Sequence, residues 1–228
     1  MKTILRNTLR ILHQRRSLLL ILGGCCTLLT AGEGICQGHP YLPLTQGATK
    51  VVSYRFSVED ATITPPPEKV RGEITMHTDR FEEKAGKRYL RQVTSYRDIP
   101  YFSEEQRLWR REEKGNVYLG AMLNGQWSET LELPGDTEIG REWDYFDGAP
   151  SKRRINGKVD LTMENGTVLK DCLEVSRVVI GNDLLKDAVN ITYYCRDIGD
   201  AGTLFRQPTP IGTYTTETRL QSYKPPSP

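Results

Sequence analysis

The chain has 228 residues, 31 basic and 29 acidic, for a net charge of +2. The charge is unevenly placed: residues 1–24 hold five basic residues and no acidic one, leaving 26 basic against 29 acidic from Cys25 onward, a net of −3. A mildly acidic body has no electrostatic footprint for nucleic acid, which is excluded as a partner.

The first segment reads as an export signal over residues 1–24. Lys2, Arg6, Arg10, Arg15 and Arg16 form a basic region, and a short apolar run and small residues follow. The run Ser17–Ala31 is broken by Gly23, Gly24, Cys25 and Cys26, so it falls short of the ~20 apolar residues of a membrane span. Leu22-Gly23-Gly24-Cys25 resembles the bacterial lipobox, which makes Cys25 the candidate lipidation residue. Acyl chains there, at about 0.8 kcal/mol per buried CH₂, would tie the chain to a membrane. Cleavage near Thr30-Ala31-Gly32 and an uncleaved anchor are the alternatives. The expected address is outside a bacterial cell, lipid-anchored in the envelope facing the periplasm or the surface, or else secreted. Residues 25–46, with their Gly- and Pro-rich stretch, read as a tether.

From residue 47 to 223 the signals are β. Strands are expected at Val51–Val58 and Val70–Met76, around a Pro65–Pro67 loop that cannot donate to a ladder. Lys84-Ala85-Gly86 separates Gly72–Phe81 from Arg88–Tyr96, and Lys114-Gly115-Asn116 separates Arg107–Glu112 from Val117–Leu123. A short helix is expected at Ser103–Gln106 and a single turn at Asp183–Asp187. Asn124-Gly125, Asn156-Gly157 and Asn165-Gly166 each predict a tight hairpin turn, bounding Gln126–Leu133 and Lys158–Glu164. Leu169–Ile180, Val189–Cys195 and Thr213–Tyr223 complete the set, before a disordered tail at 224–228. The basic clusters Arg107–Arg111 and Lys152–Arg154 sit among acidic residues and read as solvated faces and turns. About a dozen short strands predict an all-β antiparallel meander forming a curved open sheet or half-barrel. It is one domain, or two halves fused near 134.

Of five cysteines, only Cys172 and Cys195 fall in this body, and export permits a disulfide between them. Pairing the apolar face Leu173, Val175, Val179 with Val189, Ile191, Tyr193 would set the two sulfurs on opposite sides of the sheet. A bulge would reconcile them.

Tyr41-Leu-Pro43-Leu-Thr-Gln-Gly47 precedes the first strand, and Leu133-Pro134 to Gly140 precedes Trp143 and Tyr145 in the same manner. With Lys170-Asp-Cys-Leu-Glu-Val175, Tyr193-Tyr-Cys-Arg-Asp-Ile-Gly199 and Arg219-Leu-Gln-Ser-Tyr223, the chain resembles a family of uncharacterised bacterial exported proteins and lipoproteins. That family opens with Y-x-P-L-x-x-G-x-x-W-x-Y and carries K-D-C-L-x-V and Y-Y-A-x-G-V-G strands. Here Lys50 stands where the first copy should have Trp, and Cys195 replaces a small residue. The resemblance implies an exported address and a β architecture, with no activity. It also implies that the cysteine of K-D-C-L-x-V has no obvious partner.

No nucleophile elbow, phosphate loop or zinc-helix motif occurs, and no Cys/His cluster suggests a metal or cofactor. His39 falls in the tether, and His77 reads as an exposed edge residue. The pairs Glu82/Glu83, Glu104/Glu105 and Glu112/Glu113 read as turn and solvent-face charge. Trp143, Tyr145, Asp144 and Asp147 form the one aromatic–acidic group, a candidate ligand patch. The leading expectation is a non-catalytic, envelope-tethered domain that binds an apolar molecule, a polymer or an envelope protein. The alternatives are an exported hydrolase using two carboxylates in a cleft and a purely structural envelope component.

Overall fold

The computed structural model describes residues 38–226 except 65–67, 101, 103–104, 124 and 147. Cys25 and the expected leader lie outside the described residues, as do Asp147 and the first half of the expected 103–106 helix. Gln106 itself opens a strand.

Among the described residues twelve strands follow one another: β1 (Thr49–Glu59), β2 (Val70–Lys84), β3 (Lys87–Arg97), β4 (Gln106–Glu113), β5 (Asn116–Leu123), β6 (Gln126–Leu133), β7 (Glu142–Phe146), β8 (Pro150–Thr162), β9 (Val168–Val179), β10 (Val189–Cys195), β11 (Gly199–Thr209) and β12 (Gly212–Lys224). A 3₁₀ turn spans Asp183–Leu185 among the described residues. The sheet order is β6-β5-β4-β3-β2-β1-β12-β11-β10-β9-β8-β7. Every pairing is antiparallel, and β1 and β12 close the two ends of the meander on each other. The expected all-β meander is therefore the fold.

Local chemistry sets the hairpins. Ala85 and Gly86, and Lys114 and Gly115, all have positive φ, the pair of left-handed residues that a two-residue hairpin needs to match strand twist. Asn165-Gly166 also turns a hairpin, with Asn165 Oδ1 accepting from Thr167 N at 2.9 Å. Asn156-Gly157 does not. It lies inside β8, where the ladder to β9 bulges between Ile155 and Gly157. Ile155 is fully buried and its backbone is pinned on both sides, by Gly140 N at 2.8 Å and Arg141 O at 3.0 Å. The Asn156 amide meets Glu174 and Ser176 on β9. Burial and cross-strand partners override the turn propensity.

The two edge strands approach each other without a ladder among the described residues. Bonds involving side chains lace them instead: Phe146 N donates to Thr130 Oγ1 at 3.0 Å and Trp143 Nε1 to Leu131 O at 3.1 Å, and Arg153 Nη1 reaches across from β8 to Glu132 O at 3.1 Å. The sheet is a barrel with one laced seam.

One end of this barrel is filled. Tyr41, Leu42, Val117, Leu133, Trp143, Ile155, Leu173, Val175 and Tyr194 form a contiguous buried cluster, each large side chain contributing roughly 1.5–3 kcal/mol of burial. Tyr41 and Leu42 belong to the stretch expected as a tether, and that expectation fails for residues 39–42. The segment plugs the barrel end, with His39 Nε2 3.0 Å from Pro134 O, Tyr41 N donating to His39 Nδ1 at 3.2 Å, and Asp197 N donating to Pro40 O at 2.8 Å.

A second cluster holds Val52, Cys172, Cys195, Ala201 and Leu220, with Cys172 and Cys195 joined in a disulfide. The strand register pairs Thr192 with Val175 and Tyr194 with Leu173. Tyr194, not Ile191 or Tyr193, therefore shares the face of Leu173 and Val175, and the next step brings the two cysteines to the same side. The tip of the β8–β9 hairpin folds against β1 and β12: Glu164 N donates to Leu220 O at 3.2 Å, and its carboxylate accepts from Arg55 and Ser53.

Candidate functional site

The opposite end of the barrel is not filled. A cavity of about 590 Å³ lies between β4, β5, β6 and the end of β7, against Leu108, Leu119, Ala121, Ser128, Thr130 and Phe146. A second, of about 250 Å³, lies against β1, β2, β3, β4, β11 and β12 and includes Val52, Ile74, Thr94, Arg110, Asp200 and Thr203. Gln106 and Leu108 line both, so the two adjoin. The loops and strand ends here carry large apolar side chains in water, namely Ile63, Phe102, Met122, Phe146, Ile180 and Leu184. Most large apolar side chains exposed on the described surface lie here.

Between the filled end and the cavities lies a layer of charge. Lys50 Nζ pairs with the Asp200 carboxylate and also donates to Asp200 O at 3.1 Å. Arg110 grips Glu132 through Nε at 2.8 Å and Nη2 at 3.1 Å, and its Nη1 donates to Gln92. Arg153 donates to Tyr194 Oη at 3.2 Å and lies 3.6 Å over the Tyr145 ring. Tyr194 Oη in turn donates to Glu132 at 3.4 Å. Three cations thus stand against two carboxylates, all but Asp200 under a tenth exposed. Asp200, with a side chain 19 % exposed, and Arg110 are the charged groups on the smaller cavity.

The electrostatics favour the ionised form of both carboxylates. Burial alone would raise the Glu132 carboxyl, but the charge and hydrogen bonds of Arg110, with the charge of Arg153, hold it below the ordinary carboxylate range. Asp200 is held low in the same way, burial being outweighed by Lys50 and Arg110. Burial lowers the Lys50 ammonium against the opposing pull of Asp200. It pushes the Tyr194 hydroxyl up, so this group remains a donor.

Sequence reading missed this layer. Arg110 and Arg111 come from one basic cluster expected to be solvated, and Arg153 from the other; all three are buried. Alternation on β4 splits the first cluster. Arg110 meets the cavity, while Arg111 pairs with Glu129 and Glu113 and Trp109 Nε1 donates to Glu82 at 2.9 Å. That bond, with Arg80, Arg91 and Lys84 nearby, lowers Glu82 to about 2. Of the expected acidic pairs, Glu112 accepts from the His39 backbone at 2.9 Å, and Glu104 lies outside the described residues. His77 is exposed as expected, but it lies within central β2, 3.0 Å from Thr49. Lys50, where the resembled family has Trp, supplies one cation of the layer.

The expected ligand patch is divided. Trp143 and Tyr145 are buried, and Trp143 belongs to the filled core. Asp144 alternates to the exposed side. Asp144, Tyr145 and Phe146 border a further cavity of about 250 Å³ beside the seam. Among the described residues, no helix is long and apolar enough to cross a membrane.

No family model matches the chain, and no curated protein does. Two crystal structures are similar in fold. A provisionally assigned lipoprotein from Parabacteroides distasonis has 11 % identity and a TM-score of 0.48, covering 82 % of this chain and 99 % of its own. A provisionally assigned exported protein with a YmcC-like fold from Bacteroides fragilis has 10 % identity and a TM-score of 0.48, covering 80 % and 98 %.

Proposed function

We propose that this chain is an exported, envelope-tethered domain that binds an apolar ligand in the unfilled end of its barrel. The observation that carries the reading is the pair of adjoining cavities, about 590 and 250 Å³, in the size range of small-molecule sites and rimmed by apolar side chains in water. A purely structural component has no use for an unfilled end. A carboxylate-dependent hydrolase needs one carboxyl kept protonated as the acid, whereas Glu132 and Asp200 are both held ionised by cations. The leader and its lipobox-like Leu22-Gly23-Gly24-Cys25 support export and attachment at Cys25.

Native mass spectrometry of the chain released from a bacterial envelope tests the proposal. An extra mass that leaves on denaturation and fragments as a lipid or other apolar molecule is the expected result. A bare protein that also binds no added hydrocarbon probe overturns it. For attachment, the Cys25→Ala variant is expected to lose the acyl mass on its N-terminal fragment.

A further inference from the structure

The charges at the cavity narrow the chemistry of its occupant, given the reading of the cavity as a ligand site. Lys50 is already committed to Asp200, and Arg110 to Glu132. Arg110 Nη2 and Asp200 Oδ2 stand 4.0 Å apart, too far for a direct hydrogen bond and close enough that an added ion would meet its like charge as nearly as its opposite. A bare anion or cation placed here gains little and is itself desolvated. Hydrogen-bonding capacity, by contrast, is plentiful. Thr94, Thr203, Thr218, Gln92 and Gln106 all reach the same cavity. Thr203 and Thr218 pair their hydroxyls at 2.9 Å, and every hydroxyl both donates and accepts.

Above this floor the wall is mainly apolar, through Leu108, Leu119 and Ala121 to Met122 and Phe146 at the rim. Ser128 and Thr130 stand among them, and Arg107, the one charged group on this lining among the described residues, is paired with Glu105. A ligand entering tail-first would press hydrocarbon on to Arg110 and Asp200, which costs free energy. We propose that the cavity takes an amphiphile head-down, with an uncharged, hydroxyl-rich head of the sugar type against Arg110, Asp200 and the threonines and an alkyl tail along Leu108, Leu119 and Ala121 to the rim.

The test uses the full chain held in a detergent-free amphipathic polymer. Calorimetric titration compares n-decyl β-D-maltoside, decanoate and decyltrimethylammonium, which share a tail and differ in head charge, all below their micelle concentrations. The Ala121→Trp variant, which fills the larger cavity, serves as the blank; Leu119→Trp replaces it if that variant does not fold. The maltoside is expected to bind at least about tenfold tighter than either ion, a ratio equal to ~1.4 kcal/mol. Thr203→Val is expected to weaken the maltoside by about three- to tenfold, the size of one net hydrogen bond, and to leave decanoate unchanged. Either ion binding as tightly as the maltoside overturns the head-group assignment while the ligand reading stands. If no decyl probe binds above the blank, the ligand reading falls with it.

Discussion

Where the chain joins the sheet, the barrel is packed solid. Residues 39–42 fold back under Pro134 and Asp197, and Tyr41 and Leu42 pack there against seven further buried side chains. At the far end the same twelve strands enclose cavities and expose Met122, Ile180 and Leu184 to water. Connection length alone does not fill an end, because the long connection 180–188 lies at the open one, whereas the tight Ala85-Gly86 and Lys114-Gly115 turns lie at the filled one. The difference comes from a returning segment that supplies side chains at one end only. The charge layer of Lys50, Arg110, Arg153, Glu132 and Asp200 marks the boundary, since ions paired there stop the apolar core from extending farther along the barrel.

The largest effect on this contrast is expected at the boundary. Arg110→Met leaves Glu132 without its bidentate partner and should cost about 3–5 kcal/mol in urea unfolding. Arg110→Met combined with Glu132→Leu should recover most of it, because a buried pair replaced by apolar groups is often neutral. A double variant no better than the single one would show that the layer holds the barrel by more than paired charge. Next, removing the crosslink by Cys172→Ala with Cys195→Ala should cost about 2–4 kcal/mol, read from the same unfolding curves. An unchanged midpoint would mean that the hairpin contacts around Leu220 suffice alone.

A smaller effect concerns the plug. Burial holds the His39 imidazole below its ordinary 6.5, against weaker upward pulls from Pro134 O and Glu112. Its Nδ1 accepts from Tyr41 N, so the neutral ring with the proton on Nε2 is the form that fits. The unfolded chain therefore binds the proton first as pH falls. The His39 contribution is present above 6.5 and is lost as pH drops below it toward the lowered folded value. Stability measured from pH 8 to pH 5 should decline through that window, and His39→Gln should flatten the decline. The smallest effect is expected at the open rim: Met122→Ser and Leu184→Ser should each shift stability by no more than ~0.5 kcal/mol. A loss of 2 kcal/mol or more at either would mean that the rim is packed in solution and the ends are alike.

The meander was legible because its signals are local. Alternating runs broken by Lys84-Ala85-Gly86, Lys114-Gly115 and Asn165-Gly166 fix neighbouring strands within a few residues of each other. The site was not legible because its partners are remote: Lys50 meets a residue 150 positions away, and Arg110 one 22 away. In sequence, Arg110 between Trp109 and Arg111 looks like surface charge. Only the closure of β1 on β12, which brings β11 across to β4, shows which arginine faces inward. His39, Tyr41 and Leu42 were misread for the same reason, since a short Pro-rich segment carries no periodicity to announce that it plugs a barrel. The cysteine register failed on one assumption, that Tyr193 rather than Tyr194 is the inward aromatic.

The laced seam between β6 and β7 gives the barrel a property that a closed one lacks. A closed barrel admits a guest only along its axis, because parting two strands breaks a whole row of backbone bonds. Here the seam is held by single bonds, at Phe146 beside the larger cavity and at Trp143 and Arg153 nearer the filled end, and both cavities at that wall share Thr130 and Phe146. On the proposed reading of the cavities as a ligand site, parting this seam would break single bonds and not a backbone ladder, so that capacity would be set by the width of the guest and not by its length.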